Sequence, residues 1–344
     1  MKFSIMVLFF LLNVTMPSLA SECGYVNLSN HFGKPYDQQD IGWCYAFSGS
    51  DLLTYKNRKV LNGQAISPLH MALLRNLNDA EKISAESGSV RTAIRMATYP
   101  FRADDSSAFF KGVCLATVDK AIIDPSATIG IKKQFFQLSE LKTIYDTAVA
   151  KRDQQLFIDY YAKVFLINPL VYKIDVKSLQ SVLQESRVSE VGIKYLDKFC
   201  PYENRFKSST PEYPKFFYVG GVINYLPPKG QTVVTQITDP KQILDLVHKQ
   251  LDIENVSSIG YYPDFMMAGG IEDNHVEQHA STIVGREKIG NACHVIIRNS
   301  WGGCKNKKGE YQYSRNVTKC EDGYLWVPEA KLTKHLDSIT YLSN

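Results

Sequence analysis

Gln38-Gln39-Asp40-Ile41-Gly42-Trp43-Cys44-Tyr45-Ala46-Phe47-Ser48 places one cysteine at a glycine-bearing turn. An apolar-periodic run follows at once through Tyr45, Phe47, Leu52, Leu53 and Tyr55. It reads as a helix over residues 44–57 that begins at or just before the cysteine. A thiol at that point lies in the positive field of a helix N-terminus, where free backbone N–H groups point outward. That field favours the thiolate, which is the nucleophilic form. Six residues back, the side-chain amide of Gln38 has the reach to arrive at the same point in space. An amide N–H beside a nucleophile is what a developing oxyanion needs. A lone cysteine reads first as a buried structural residue, because free cysteines are commonly buried. The rest of the chain decides between the two.

Gln278-His279-Ala280-Ser281-Thr282-Ile283-Val284-Gly285 reads as a strand that starts at a histidine and ends at a glycine. His294–Arg298 reads as a second strand and runs into Asn299-Ser300-Trp301-Gly302. A cysteine nucleophile requires a base to take its proton and later to protonate the leaving amine, and a histidine does both. The second ring nitrogen must be held in one tautomer, which the Asn299 side-chain oxygen can do by accepting its N–H.

Together these stretches resemble the active-site signatures of the papain family of cysteine peptidases. Gln38, Gly42, Cys44, Tyr45, Ser48 and Gly49 fill the family's cysteine pattern, His279-Ala280 its histidine strand, and Asn299-Ser300-Trp301-Gly302 its most specific short motif. Ile41 stands where the family usually has a disulfide cysteine, Trp43 where a small residue is usual, and Ser281 where an aliphatic one is. The resemblance implies an α+β, papain-like two-lobe fold. A helical left lobe carries Cys44, and a β-barrel-like right lobe carries His279 and Asn299. It implies Cys44, His279 and Asn299 as catalytic residues and Gln38 as oxyanion donor. Gly88, Ala280 and Trp301 would contact substrate, with Trp301 also packing over the Asn–His contact. The 235 residues from Cys44 to His279 exceed the family's interval of about 130, and a helical insertion of roughly 120 residues covers the difference.

The chain has 344 residues, an ordinary globular composition and a net charge of +4. No basic stripe with interleaved aromatics supports nucleic-acid binding. Residues 1–20 read as a signal peptide, with Lys2, an apolar Phe3–Leu12 and a Ser18-Leu19-Ala20 cleavage site. That run is too short to span a bilayer. The expectation is a secreted or extracytoplasmic monomer that acts on peptide or protein substrates, needs no cofactor and binds no metal. Seven cysteines in an exported chain allow three bridges and one free thiol, which closes if Cys44 is free. Cys304 with Cys320 is the preferred local pair, and the others stay open. A metal reading from Asp273, His275, Glu277 and His279 fails on spacing, since Val276 follows the first histidine where a glutamate is required. His275 is the reserve base. Asn27, Asn255 and Asn316 lie in glycosylation sequons.

The expected organisation is a signal peptide (1–20), a helical lobe (21–114), an inserted mostly helical subdomain (115–235) and a β-rich lobe (236–344). Ser67 and Pro68 open a helix through Leu77. Gly88-Ser89 precedes a helix over Val90–Ala97, and Tyr99-Pro100-Phe101 follows it. Helical spacing runs through 133–167 and 176–195, and Asp239–Leu251 reads as a helix before a strand at Val256–Tyr261. Two other functions fit the same motifs. One is a binding protein of this fold with its cleft closed by Trp43 or the insertion. The other is an acyltransferase that uses the same thioester.

Overall fold

The computed structural model describes residues 23–77, 88–98, 112–123, 127–201, 205–208, 212, 214–219, 235–237, 239–270, 277–306 and 308–343. The expected signal peptide, the Tyr99-Pro100-Phe101 stretch, Asp273 and His275 lie outside the described residues. From the N-terminal side come β1 (Val26–Asn27), α1 (Cys44–Lys56), α2 (Arg58–Leu61), α3 (Pro68–Asn76), α4 (Val90–Thr98), β2 (Val113–Cys114) and α5 (Thr117–Ile122). Then follow α6 (Ile131–Lys151), α7 (Gln154–Phe165), α8 (Pro169–Tyr172), α9 (Val176–Glu185), α10 (Val191–Asp197), β3 (Arg205–Phe206), β4 (Lys215–Val219) and β5 (Thr235–Ile237). The remainder is α11 (Pro240–Asp252), β6 (Ser257–Tyr261), β7 (His279–Ile289), β8 (Ala292–Arg298), β9 (Lys319–Glu321), β10 (Tyr324–Pro328), α12 (Glu329–Leu332) and β11 (Leu336–Tyr341).

Helix starts follow the capping chemistry. Ser67, Asp153, Asn168, Asp175 and Asp239 each accept a first-turn backbone N–H, for α3, α7, α8, α9 and α11. Proline follows at the head of α3, α8 and α11, where its missing N–H costs nothing. The helical run expected over 133–167 divides at Arg152, whose left-handed backbone ends α6, and Asp153 then caps α7. α1 is buried almost all round, from Tyr45 to Ser50 and from Leu52 to Tyr55. It packs on α3 and α4 on one side and on β7 on the other, which explains a helix with no polar face.

The sheet runs β5-β4-β11-β6-β7-β8-β10-β9, with β1 also on β7. Every pair is antiparallel except β4 with β5. β7 is buried from His279 to Arg286 without alternation, because α1 and α11 cover it as a central strand. The fold is therefore mixed helix and sheet, as expected, but the sheet is open. The expected barrel-like lobe is corrected here: among the described residues the edges β5 and β9 do not pair with each other, and closure requires that they do.

β4, within 115–235, forms ladder bonds with β11, so this stretch supplies an edge of the main sheet. Its helices join the same core as the first region. Ile131, Phe135, Leu138 and Leu141 form the buried stripe of α6, β3 pairs with β2, and Cys114 is bridged to Cys200. The expected Cys304–Cys320 bridge is present, and the third bridge joins Cys23 to Cys293. Cys44 is the free cysteine.

Candidate active site

Cys44 is the first residue of α1, after Trp43 at the N-cap. His279 opens β7 and Asn299 follows directly after β8, so neighbouring strands present the two side chains together. His279 Nε2 lies 2.8 Å from Asn299 Oδ1. An amide oxygen only accepts, so Nε2 carries the proton and Nδ1 is left as the basic nitrogen. The Ser281 hydroxyl also donates to Asn299 Oδ1 at 3.2 Å, and Asn299 Nδ2 donates to the Tyr313 hydroxyl at 3.3 Å. The Tyr261 hydroxyl stands 3.0 Å from Ser281 Oγ. Since the Ser281 proton is committed to Asn299, Tyr261 is the donor. Asn299 is fully buried, and its amide is thus fixed in orientation by Ser281 and Tyr313 as well as by the histidine.

The Trp301 ring covers His279 with centroids 4.1 Å apart and a 32° tilt, and Tyr261 meets its edge at 5.6 Å. The backbone at Ala280 hydrogen-bonds the Cys44 thiol, which brings the start of β7 onto the start of α1. Gln38 is held on both ends of its amide. Nε2 donates to the Ile41 carbonyl at 3.0 Å, and Oε1 accepts the Ser300 hydroxyl at 2.6 Å. Its backbone N–H also donates to Ser300 O, which ties the Gln38 loop to the Asn299 loop. A primary amide has two N–H bonds, so one remains for a substrate oxyanion.

Burial pushes the Cys44 thiol above its ordinary value, against backbone hydrogen bonds from Ala280, Tyr45 and Cys44 itself. Burial likewise pulls His279 down to about 4, with the Asn299 bond acting the other way. Both effects favour a neutral thiol beside a neutral imidazole. This differs from the thiolate expected from the helix field. The field of a helix end is worth about 0.3–1 kcal/mol at exposed sites, and desolvation of a buried ion exceeds it.

The structure brings together Gln38, Cys44, His279, Ala280, Asn299 and Trp301. Gly88 is exposed at the head of α4 and packs on the Tyr45 ring, where a Cβ would stand 2.7–2.8 Å from ring atoms. Its glycine identity is thus accounted for by close approach to α1. Trp43 does not stand in a cleft. It is fully buried, with its ring 5.3 Å from Phe135. Sequence reasoning noted Ser281 only as a departure and missed Tyr261 and Tyr313. The usable signal was the period of two, which puts residue 281 on the face of 279. Ser281→Ala should cost about 0.5–1.5 kcal/mol of stability, the size of one net hydrogen bond, read by thermal unfolding.

No protein-family model and no curated protein matches the chain. Among solved structures it is similar to one from work on antibody cross-reactivity between the mite allergens Blo t 1 and Der p 1. That similarity has 9% identity over 96% of this chain and 74% of that one, with a TM-score of 0.45. It is similar to xylellain, a cysteine protease from Xylella fastidiosa, at 15% identity over 93% of this chain and 85% of that one, with a TM-score of 0.45. It is similar to the digestive procathepsin L 3 of Tenebrio molitor larval midgut at 11% identity over 97% of this chain and 75% of that one, with a TM-score of 0.41.

Proposed function

We propose that the chain is a cysteine peptidase of the papain kind that acts outside the cytoplasm on peptide or protein substrates. The observation that carries this reading is the 2.8 Å bond from His279 Nε2 to Asn299 Oδ1, under Trp301, with the Ala280 backbone on the Cys44 thiol. Cys44 Sγ attacks the scissile carbonyl carbon as His279 Nδ1 takes the thiol proton. The Cys44 backbone N–H and the second N–H of Gln38 Nε2 receive the oxyanion. Collapse breaks the C–N bond, and the imidazolium returns its proton to the leaving amine. His279 then draws a proton from water as the water attacks the thioester; collapse breaks the C–S bond, the imidazolium returns that proton to Cys44 Sγ, and the acid leaves. Three bridges among the seven cysteines suit an oxidising compartment. Among the described residues no helix is long and apolar enough to cross a membrane.

The test is labelling by a peptidyl epoxide, read by mass spectrometry of the intact protein. The wild type should take up one equivalent at Cys44, Cys44→Ala none, and His279→Ala should label far more slowly. No labelling of the wild type between about pH 4 and 8, a range that spans ordinary histidine titration, would sink the reading.

A further inference from the structure

Asp40 lies between Gln38 and Cys44, yet its carboxylate turns away from them. Oδ1 accepts the backbone N–H of Lys132, in the first turn of α6. The N-cap residue of α6 is Gly130, which brings no side-chain cap of its own. Asp40 thus supplies from 92 residues away in sequence the oxygen that a helix start calls for. Gly130 is glycine because of this approach, since a Cβ there would collide with the Asp40 carboxylate. Three residues after Asp40, the buried Trp43 ring rests on Phe135 of the same helix. One helix therefore holds the loop at two points, on either side of Ile41 and Gly42.

What lies between those points sets the oxyanion donor. The Ile41 carbonyl accepts Gln38 Nε2 at 3.0 Å and the Trp43 N–H at 2.8 Å. A shift of residues 40–43 therefore moves the anchor of the Gln38 amide and the first turn of α1 together. Gln39 holds φ 56°, a left-handed conformation that a residue with a side chain keeps only when its surroundings over-determine it. The loop has no covalent tether, since Cys44 is free.

We propose that α6 braces the Gln38–Cys44 loop from outside, through Asp40 at its N-terminus and Phe135 against Trp43, and so sets the spacing of the oxyanion donors. Asp40, Trp43 and Phe135 are positioning residues in this sense. The inference rests on the reading above, in which Gln38 and Cys44 act on an acyl group. It assigns to the segment expected as an insertion a part in the chemistry, where the plain alternative is a structural elaboration.

The experiment compares the full-length wild type with Asp40→Ala, Asp40→Asn and Gly130→Ala. It reads kcat and KM on a peptide amide, and hydrogen exchange of the amides at 38–44. Asp40→Ala and Gly130→Ala should lower kcat about 10- to 100-fold, the cost of misplacing a catalytic group by about 1 Å, with KM little changed. Both should speed exchange across 38–44. Asp40→Asn keeps an acceptor oxygen and should stay within a few-fold of wild type on both measures. Wild-type kcat and loop exchange in Asp40→Ala would overturn the proposal, as would an Asp40→Asn enzyme as slow as Asp40→Ala. If the wild type itself neither hydrolyses peptides nor labels, the peptidase reading fails separately. The brace is then judged on exchange: faster exchange in Asp40→Ala supports it, and unchanged exchange overturns it.

Discussion

His279→Ala lowers kcat/KM on a peptide amide by about four orders of magnitude, the upper range for loss of a general base, and Cys44→Ala removes thioester chemistry altogether. The two losses should not add, because thiol and imidazole act as one unit. The pH profile follows from burial. As pH falls through about 4, His279 takes up a proton and can no longer accept that of Cys44, so the acid limb lies there. The alkaline limb lies above the ordinary cysteine value, because burial holds the thiol proton on. A thiolate–imidazolium resting pair gives a similar acid limb but an earlier alkaline one. Ultraviolet thiolate absorbance separates them: the difference between wild type and Cys44→Ala should be absent at neutral pH and appear only on the alkaline side. Strong thiolate absorbance at neutral pH would overturn the neutral pair.

The same burial makes His279 a stability element with a definite sign. In the unfolded chain the imidazole takes up a proton below about 6.5, while in the folded chain it does so only near 4. Unfolding therefore binds a proton between those values, and folding is favoured by higher pH there. The contribution is fully present above about 6.5 and is lost as pH falls toward 4.

The sequence carries the local parts of this site because their chemistry is local. Gln38 to Cys44 is one turn and a helix start, His279 opens a strand, and Asn299-Ser300-Trp301 is a single loop. What binds them is not local and was not legible. Cys23 reaches Cys293 across 270 residues, and no spacing rule selects that pair from the alternatives. β4 looks like a short aromatic run among prolines until β11 offers it an edge. Trp43 read as an obstruction because only its chain neighbours were visible; its partner Phe135 is 92 residues away in sequence. Asp40 carries no sequence signal for the same reason, since Lys132 is 92 residues away. The sequence offers both a histidine that takes the thiol proton and a helix end that favours the thiolate, and it does not rank them, because helix polarity can be read from a sequence and burial depth cannot.

Asp51→Ala should destabilise the fold by about 3–5 kcal/mol, the usual cost of stripping one partner from a buried ion pair. Asp51 sits on α1 and Arg298 ends β8, so the pair bolts the helical region to the sheet. Arg298 Nε donates to Asp51 Oδ1 at 3.0 Å, and the Thr282 hydroxyl donates to Asp51 Oδ2 at 3.1 Å. Arg298 Nη1 also donates to Gly33 O at 2.6 Å and to the Tyr324 hydroxyl at 3.0 Å. With Asp51 gone, a guanidinium side chain only 4% exposed keeps its charge with no counter-charge. That is a large share of a total stability of about 5–15 kcal/mol, and thermal unfolding should shift down on the order of 10 °C. Pairing Asp51→Leu with Arg298→Met removes both charges and should recover part of the loss. Recovery stays incomplete, because Gly33 O and the Tyr324 hydroxyl lose the donor they share. Arg298 is also the residue before Asn299, so the single variant should lose activity beyond its loss of folded protein, at a temperature where it remains folded. An Asp51→Ala protein with wild-type unfolding and wild-type kcat would show that the ion pair neither joins the two regions nor places Asn299.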